Sequence, residues 1–342
     1  MMLCRVADSL FWMSRYIERA ENTVRLVDVN LQILLETDGA NRETIATFWH
    51  PIIESTGDLP IYSQLYQDFE SQSVMEYLTF SRENPSSVIS CIAAARENAR
   101  MIRDQLSEDM WEIINRCYLF LKHTDPKQIW SSGPYAFYKE IREYSNLFQG
   151  VTESTFPHAV GYEFIQAGRF LERADKTGRI LRAKILLDHF WGDQEVINPL
   201  DAAQWLSVLR ACSAEGAFQQ MHSQRLEGDD IVEFLALSRY FPRSIRFCVS
   251  QLQRHMHAIS QCPLTHFSNE AERKCGILLS KLNYCRIEEI TGVRTDPFLN
   301  DVHRMLDEIA IELNNHYMFF PIVDPALATE SVEPPSEQQQ SL

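Results

Sequence analysis

Arginine and glutamate recur at matched positions in RYIERAENTVRLV, Arg15 to Val27, and RFLERADKTGRIL, Arg169 to Leu181. Six of the thirteen columns are identical (Arg, Glu, Arg, Ala, Thr, Arg), five more exchange like for like, and the offset is 154 residues. The guanidinium fork of Arg15, Arg19, Arg25, Arg169, Arg173 and Arg179 matches a carboxylate or phosphate, so capture of an anion is one chemistry open to these residues. Glu18 and Glu172 suggest a second, general acid–base catalysis. The flanking arginines favour the ionised carboxylate, which argues against the acid role.

These side chains need elements to position them. Leu10, Met13, Ile17, Ala20, Val24, Val27 and Leu31 recur at steps of three and four, predicting one long helix over about residues 3–35. At about 100° per residue, Arg15, Glu18, Arg19, Asn22 and Arg25 then share the other side. The second copy repeats the pattern, with Phe164, Ala167, Leu171, Ala174, Gly178 and Leu181 opposite Arg169, Glu172, Arg173, Lys176 and Arg179. Three readings of this face stand open. It is a solvated surface with local pairs (Arg15–Glu18, Glu21–Arg25, Arg169–Glu172, Asp175–Arg179) of about 0.2–0.5 kcal/mol each, a buried network between two helices packed near a pseudo-twofold axis, or a ligand or partner site. Easily replaced surface pairs give no reason for both copies to hold the same residues, which favours the other two.

The duplication continues beyond the motif. Trp49 has a counterpart in Trp205, and SRENPSSVISC, Ser81 to Cys91, matches SRYFPRSIRFC, Ser238 to Cys248, at an offset of 157. Pro85 and Pro242 suit the first turn of a new helix, with Asn84 as N-cap of the first. Arg96, Arg100 and Arg103 then share a helix face and, with Arg15, Arg19 and Arg25, could line a basic pocket. The second copy reads Gln253, His257 and Ser260 there, so such a pocket belongs to the first half. Further amphipathic segments start near Ser107, Pro134, Glu270 and Asp301, and Gly150–Phe164 reads as a turn into the second long helix. With no strand alternation the class is all-α. Two tandem homologous helical-bundle repeats related by a pseudo-twofold, 1–155 and 156–322, precede a polar, proline-bearing tail, 323–342, of disordered composition.

Composition narrows the function. A chain of 342 residues, 45% apolar and with a formal charge of −15, can bury a large core but lacks the basic surface that nucleic-acid binding needs. The eight cysteines are scattered without CxxC, as for reduced buried thiols, and the ten histidines form no ligand pattern. Glu312 with His316 and His303 with Asp307 read as surface pairs, so neither a metal nor a cofactor is expected. No phosphate-binding, zinc-protease or nucleophile-elbow motif occurs. The N-terminal apolar residues are broken by Arg5, Asp8 and Arg15, and no membrane span is apparent, so a cytoplasmic location is expected.

VADSLFWMSRYIERAENTVRLVD and YEFIQAGRFLERADKTGRILRAKILL, with GVTESTF between them, resemble the Alpha-E family of all-helical bacterial proteins with a tandemly duplicated ER motif. The resemblance covers about residues 1–322 and implies that Glu18, Arg19, Glu172 and Arg173 are the signature residues. It also implies association with circularly permuted ATP-grasp ligases, transglutaminase-like proteins and Ntn-type peptidases in peptide synthesis or modification. No catalytic set comes with it. The expected function is therefore an accessory or partner protein that uses the ER face to bind the ligase or an acidic peptide. Two rivals are a ligase or transferase subunit holding a carboxylate or phosphate substrate through arginines that include Arg96 and Arg100, and a purely structural helical scaffold. Gly178 stands where the first copy has Val24, so the two helices cannot pack alike at that point.

Overall fold

The computed structural model describes residues 4–36, 42–191, 201–222 and 226–318. Among them the chain is all-helical, without a strand. It begins with α1 (Cys4–Glu36), α2 (Arg42–Thr56), α3 (Leu59–Leu65), α4 (Ser71–Thr79) and α5 (Val88–Met101). Then come α6 (Glu108–His123), α7 (Pro126–Ser132) and α8 (Tyr135–Thr155). The second long helix, α9 (Val160–Trp191), is followed by α10 (Asp201–Ala211), α11 (Glu215–Met221), α12 (Gly228–Leu237) and α13 (Ile245–Ser260). The last two are α14 (Glu270–Tyr284) and α15 (Thr295–Leu313), which ends in a π turn, Asn314–Met318.

Helices α1 and α9 make the most extensive pairing in the molecule. Around this pair the elements cross over: α2 packs on α9, and α10 packs on α1. The buried apolar residues consequently form one continuous core running through both ER helices. Each long helix is covered on more than one side, which explains why its polar face is buried or half-buried as well as its apolar one. The polar face is a second interior, where burial has to be matched by pairing.

The two corners share one construction. Ser87 caps α5 by accepting from Ser90 N (3.3 Å), and Ser244 caps α13 by accepting from Phe247 N (3.1 Å). Each capping hydroxyl also donates, at 2.6 Å, to the carbonyl six residues earlier, Ser81 or Ser238. Each thiol a turn further on points at the proline carbonyl, Cys91 at Pro85 (3.8 Å) and Cys248 at Pro242 (3.5 Å). Ser87, not Asn84, is therefore the N-cap, and Pro85 lies in the turn before the helix. Asn84 instead receives the Ser86 amide at 2.8 Å. The expected turn over 150–164 is also shorter, since α8 continues to Thr155 and only Phe156–Ala159 separates it from α9. The tail 323–342 lies outside the described residues.

Close approach of α1 and α9 depends on Gly168. A Cβ there would lie 2.4 Å from the Phe11 carbonyl oxygen. Gly178 answers another need: a Cβ would meet His303 Nε2 at 2.7 Å, so the missing side chain admits the imidazole of α15. This is the physical content of the Val24/Gly178 difference, and it takes His303 off the surface, where a local pair was expected. Gly168→Ala is expected to cost roughly 1–3 kcal/mol through overpacking. The same substitution in an exposed helix would gain up to about 1 kcal/mol, so the sign of the change in a urea melt distinguishes the two cases.

Candidate functional site

The ER dipeptides bind each other's copies. Glu18 receives Arg173 Nε at 2.7 Å and Nη2 at 2.9 Å. Reciprocally, Glu172 receives Arg19 Nε at 2.6 Å and Nη2 at 3.0 Å. Both pairs are two-pronged, the geometry in which guanidinium and carboxylate interact most strongly. Glu18 is 1% exposed and Glu172 is fully buried.

Around this exchange the two ends differ. At Glu172, Arg15 adds a bond to Oε2 (2.9 Å), and Lys176 Nζ stands 3.8 Å from Oε1 and 3.6 Å from Asp175. At Glu18, Arg243 from the α12–α13 corner contributes, reaching Oε1 (3.3 Å), Asn22 Oδ1 (3.1 Å) and Glu21 Oε1 (2.5 Å). Gln149 of α8 links the ends of the motif, donating to Glu18 Oε2 at 3.1 Å and accepting from Arg169 Nη2 at 2.6 Å. Ser145 donates to Glu21 at 2.9 Å.

Two expected local pairs form, Arg25 with Glu21 and Arg179 with Asp175, at 2.9 and 2.8 Å. Arg15 is directed to Glu172 instead of Glu18, and Arg169 to Gln149 and Gln166 instead of Glu172. The reason is burial: an interior carboxylate gathers every donor within reach, including those from the facing helix. Arg96 and Arg100 stand apart from the network. Arg96 bonds Asn115 (2.8 Å) and lies over the Tyr118 ring, and Arg100 bonds Glu97 (2.8 Å) on an exposed face. The first-half arginines thus do not converge on one pocket.

Electrostatics follow the pairing. Burial would raise the Glu18 carboxyl, but Arg173 and Arg243 outweigh it and hold the pKa at about 2. Burial likewise opposes ionisation of Glu172, where Arg19, Arg15 and Lys176 bring the pKa well below the ordinary value. At Asp175 burial is overcome by Arg179, Lys176 and His303, giving about 2. Such carboxylates are permanently charged hydrogen-bond acceptors and poor proton donors, so the acid role is closed to them. Arg169 differs: its Nε is buried without a partner, and burial together with Arg173's charge lowers its pKa to about 10. The space beside it, bounded by Glu18, Gln149 and Gln166, is about 10 Å³, room for a water and little more.

Arg243, Gln149, Ser145 and Lys176 complete the network without having been singled out as site residues in the motif. Lys176 already lies on the repeated polar face, and Arg243 carries a signal of its own, because the matching corner has Ser86 in its place. Gln149 and Ser145 lie on a helix face whose partners, Glu18 and Glu21, are more than a hundred residues away in the chain.

Fold and site together define an all-helical protein whose two longest helices are joined by reciprocal buried glutamate–arginine pairs. Residues 2–318 match the Alpha-E family, described as a predicted alpha-helical domain with a conserved ER motif, and the chain belongs to that family. It is similar to an uncharacterized protein of Mycobacterium bovis and to uncharacterized proteins of two Mycobacterium tuberculosis strains. Each is 23% identical over 326 residues, 91% of this chain and 36% of the relative. The chain thus spans about a third of the length of the curated relatives it matches. No solved structure matches it. No described helix is long and apolar enough to cross a membrane.

Proposed function

We propose that this chain is a non-catalytic helical partner protein, in which the ER pairs lock two like halves, 1–155 and 156–322, about a pseudo-twofold. The observation that carries the reading is the reciprocal pairing of Glu18 with Arg173 and Glu172 with Arg19. Guanidiniums committed to buried carboxylates have little capacity left for a ligand, whereas a lock between halves uses both residues of the motif in both copies. The matched corners and the crossing of α2 and α10 support the two-half arrangement.

The partner is an ATP-grasp-type ligase or a transglutaminase-like protein of a cytoplasmic peptide-modifying system, as the family resemblance implies. The curated relatives support a joined module, because their matching stretch occupies 36% of a longer chain. A carboxylate or phosphate pocket draws on one observation, the unpartnered Arg169 Nε, and the 10 Å³ beside it would have to open considerably to admit a substrate. The test is co-purification of the folded wild-type chain with a circularly permuted ATP-grasp ligase. A complex near one-to-one, retained through gel filtration, is expected. No complex with or without nucleotide would remove the partner reading and leave the lock alone.

A further inference from the structure

The turn between α13 and α14 gathers three side chains of metal-ligating type, far from the ER pairs in the chain. A ring nitrogen of His257, the Cys262 thiol and a carboxylate oxygen of Glu272 all lie within 4.8 Å of one another. The local fold arranges this. Gln261 adopts φ +60°, in the left-handed region, and turns the chain back at the end of α13. The Cys262 carbonyl thereby comes to 3.1 Å from His257 Nδ1. A carbonyl only accepts, so Nδ1 carries the proton and the lone pair is left on Nε2. Histidines that bind metal are commonly fixed in this way by a partner on the other nitrogen.

Glu272 is prepared in a similar sense. Asn269 caps α14 by accepting from Glu272 N at 3.0 Å, which fixes the first turn. Glu272 Oε2 receives the Ser268 amide (2.6 Å) and hydroxyl (3.0 Å). Its other oxygen, Oε1, is buried with no hydrogen bond of good geometry, although the Ser260 hydroxyl also lies near this carboxylate, on a residue only 1% exposed. A buried carboxylate oxygen left unsatisfied is costly, and a cation is the partner that the neighbouring imidazole and thiol could share with it.

We propose that His257, Cys262 and Glu272 form a three-ligand site for zinc, clipping the end of α13 to the start of α14. The donor set selects the metal class: nitrogen, sulfur and oxygen together suit zinc, whereas magnesium and calcium take oxygen ligands. Three protein ligands leave the fourth tetrahedral position to water or another small ligand, and Cys262 is partly exposed, so solvent can reach the site. The site belongs to the second half alone, because Arg100 occupies the place of His257 in the first copy. It was not expected from the sequence, where spacings of five and ten residues fit no common zinc motif.

The test uses the full chain, reduced and freed of metal with a chelator, and zinc or cobalt alone as probe. One equivalent of zinc is expected to bind and raise the melting temperature, since the cation binds the folded chain in preference to the unfolded one. Cobalt should give a thiolate charge-transfer band. Cys262→Ser should abolish that band and weaken zinc binding by at least about 100-fold, on the scale by which metal sites respond to lost contacts. Cys285→Ser, a partly exposed thiol outside the cluster, should leave both unchanged. In the wild-type chain zinc should also protect Cys262 from alkylation, read by peptide mass spectrometry, which needs no variant to fold. Substoichiometric binding, affinity retained in Cys262→Ser, or alkylation of Cys262 undiminished by zinc would each overturn the proposal.

Discussion

Glu18→Ala is expected to destabilise the chain by about 3–5 kcal/mol, the cost of removing one partner from a buried ion pair. Arg173, 3% exposed, would lose both of its short bonds to Glu18 and keep its charge in the interior. Arg243 would still hold Glu21 and Asn22, so the penalty falls mainly on Arg173. Glu172→Ala should cost a comparable amount, because it strands Arg19 and Arg15 together. A chain of this size has only a modest stability margin, so the double variant is expected to be unfolded. The converse is as informative. Glu18→Leu combined with Arg173→Met should be markedly more stable than Glu18→Leu alone, because the charge of Arg173 is no longer stranded and apolar groups fill the space. Urea melts of the wild type, Glu18→Leu, Arg173→Met and the combined variant form a double-mutant cycle. A Glu18→Ala variant within about 0.5 kcal/mol of wild type would show that the pair contributes nothing to the lock.

The same pair shows where sequence reasoning stops. The helical period of residues 15–27, the repeat at 169–181 and the all-helical class are local or self-similar properties, and they can be read along one line of text. The pairing partner is not local. A helix places i and i+3 side by side and so pairs Arg15 with Glu18, yet burial makes the facing helix the stronger competitor, and Arg15 bonds Glu172. The Asn84 cap failed for a related reason: the serine three residues later can cap the helix and reach back to the Ser81 carbonyl with one hydroxyl. Gln149 was invisible, since a lone glutamine on an amphipathic helix carries no mark of what it faces. The Val24/Gly178 difference was visible as a departure, but its cause, the His303 ring from α15, needed the three-dimensional arrangement.

Acid should dissolve the lock. Glu18 and Asp175 titrate near 2 in the folded chain, against 4.5 and 3.8 as their ordinary values, and Glu172 lies well below 4.5. The unfolded chain therefore binds more protons than the folded one between about pH 2 and pH 4.5, and stability rises with pH across that window. The contribution is fully present above the unfolded values and is lost as pH falls through the folded ones. Asp8, Asp28, Asp58 and Asp307 oppose the trend, because burial raises their pKa and favours the neutral form. Among the described residues eight carboxylates are depressed, Glu21, Glu83, Glu270, Glu272 and Asp301 besides Glu18, Glu172 and Asp175, against these four, which leaves the sign unchanged. The expected loss is several kcal/mol on going from neutral pH to about pH 2. Urea midpoints measured at intervals through this range should fall steeply below about pH 4.5, and Glu18→Gln should flatten the slope because it removes one titrating member. Salt offers an independent check. Exposed pairs would be screened by about 0.5 M sodium chloride, but interior pairs are shielded much less, so the acid-sensitive stability should persist in salt. A pH profile that is flat in the wild type, or unaltered by Glu18→Gln, would mean that these carboxylates are not held ionised by their arginines.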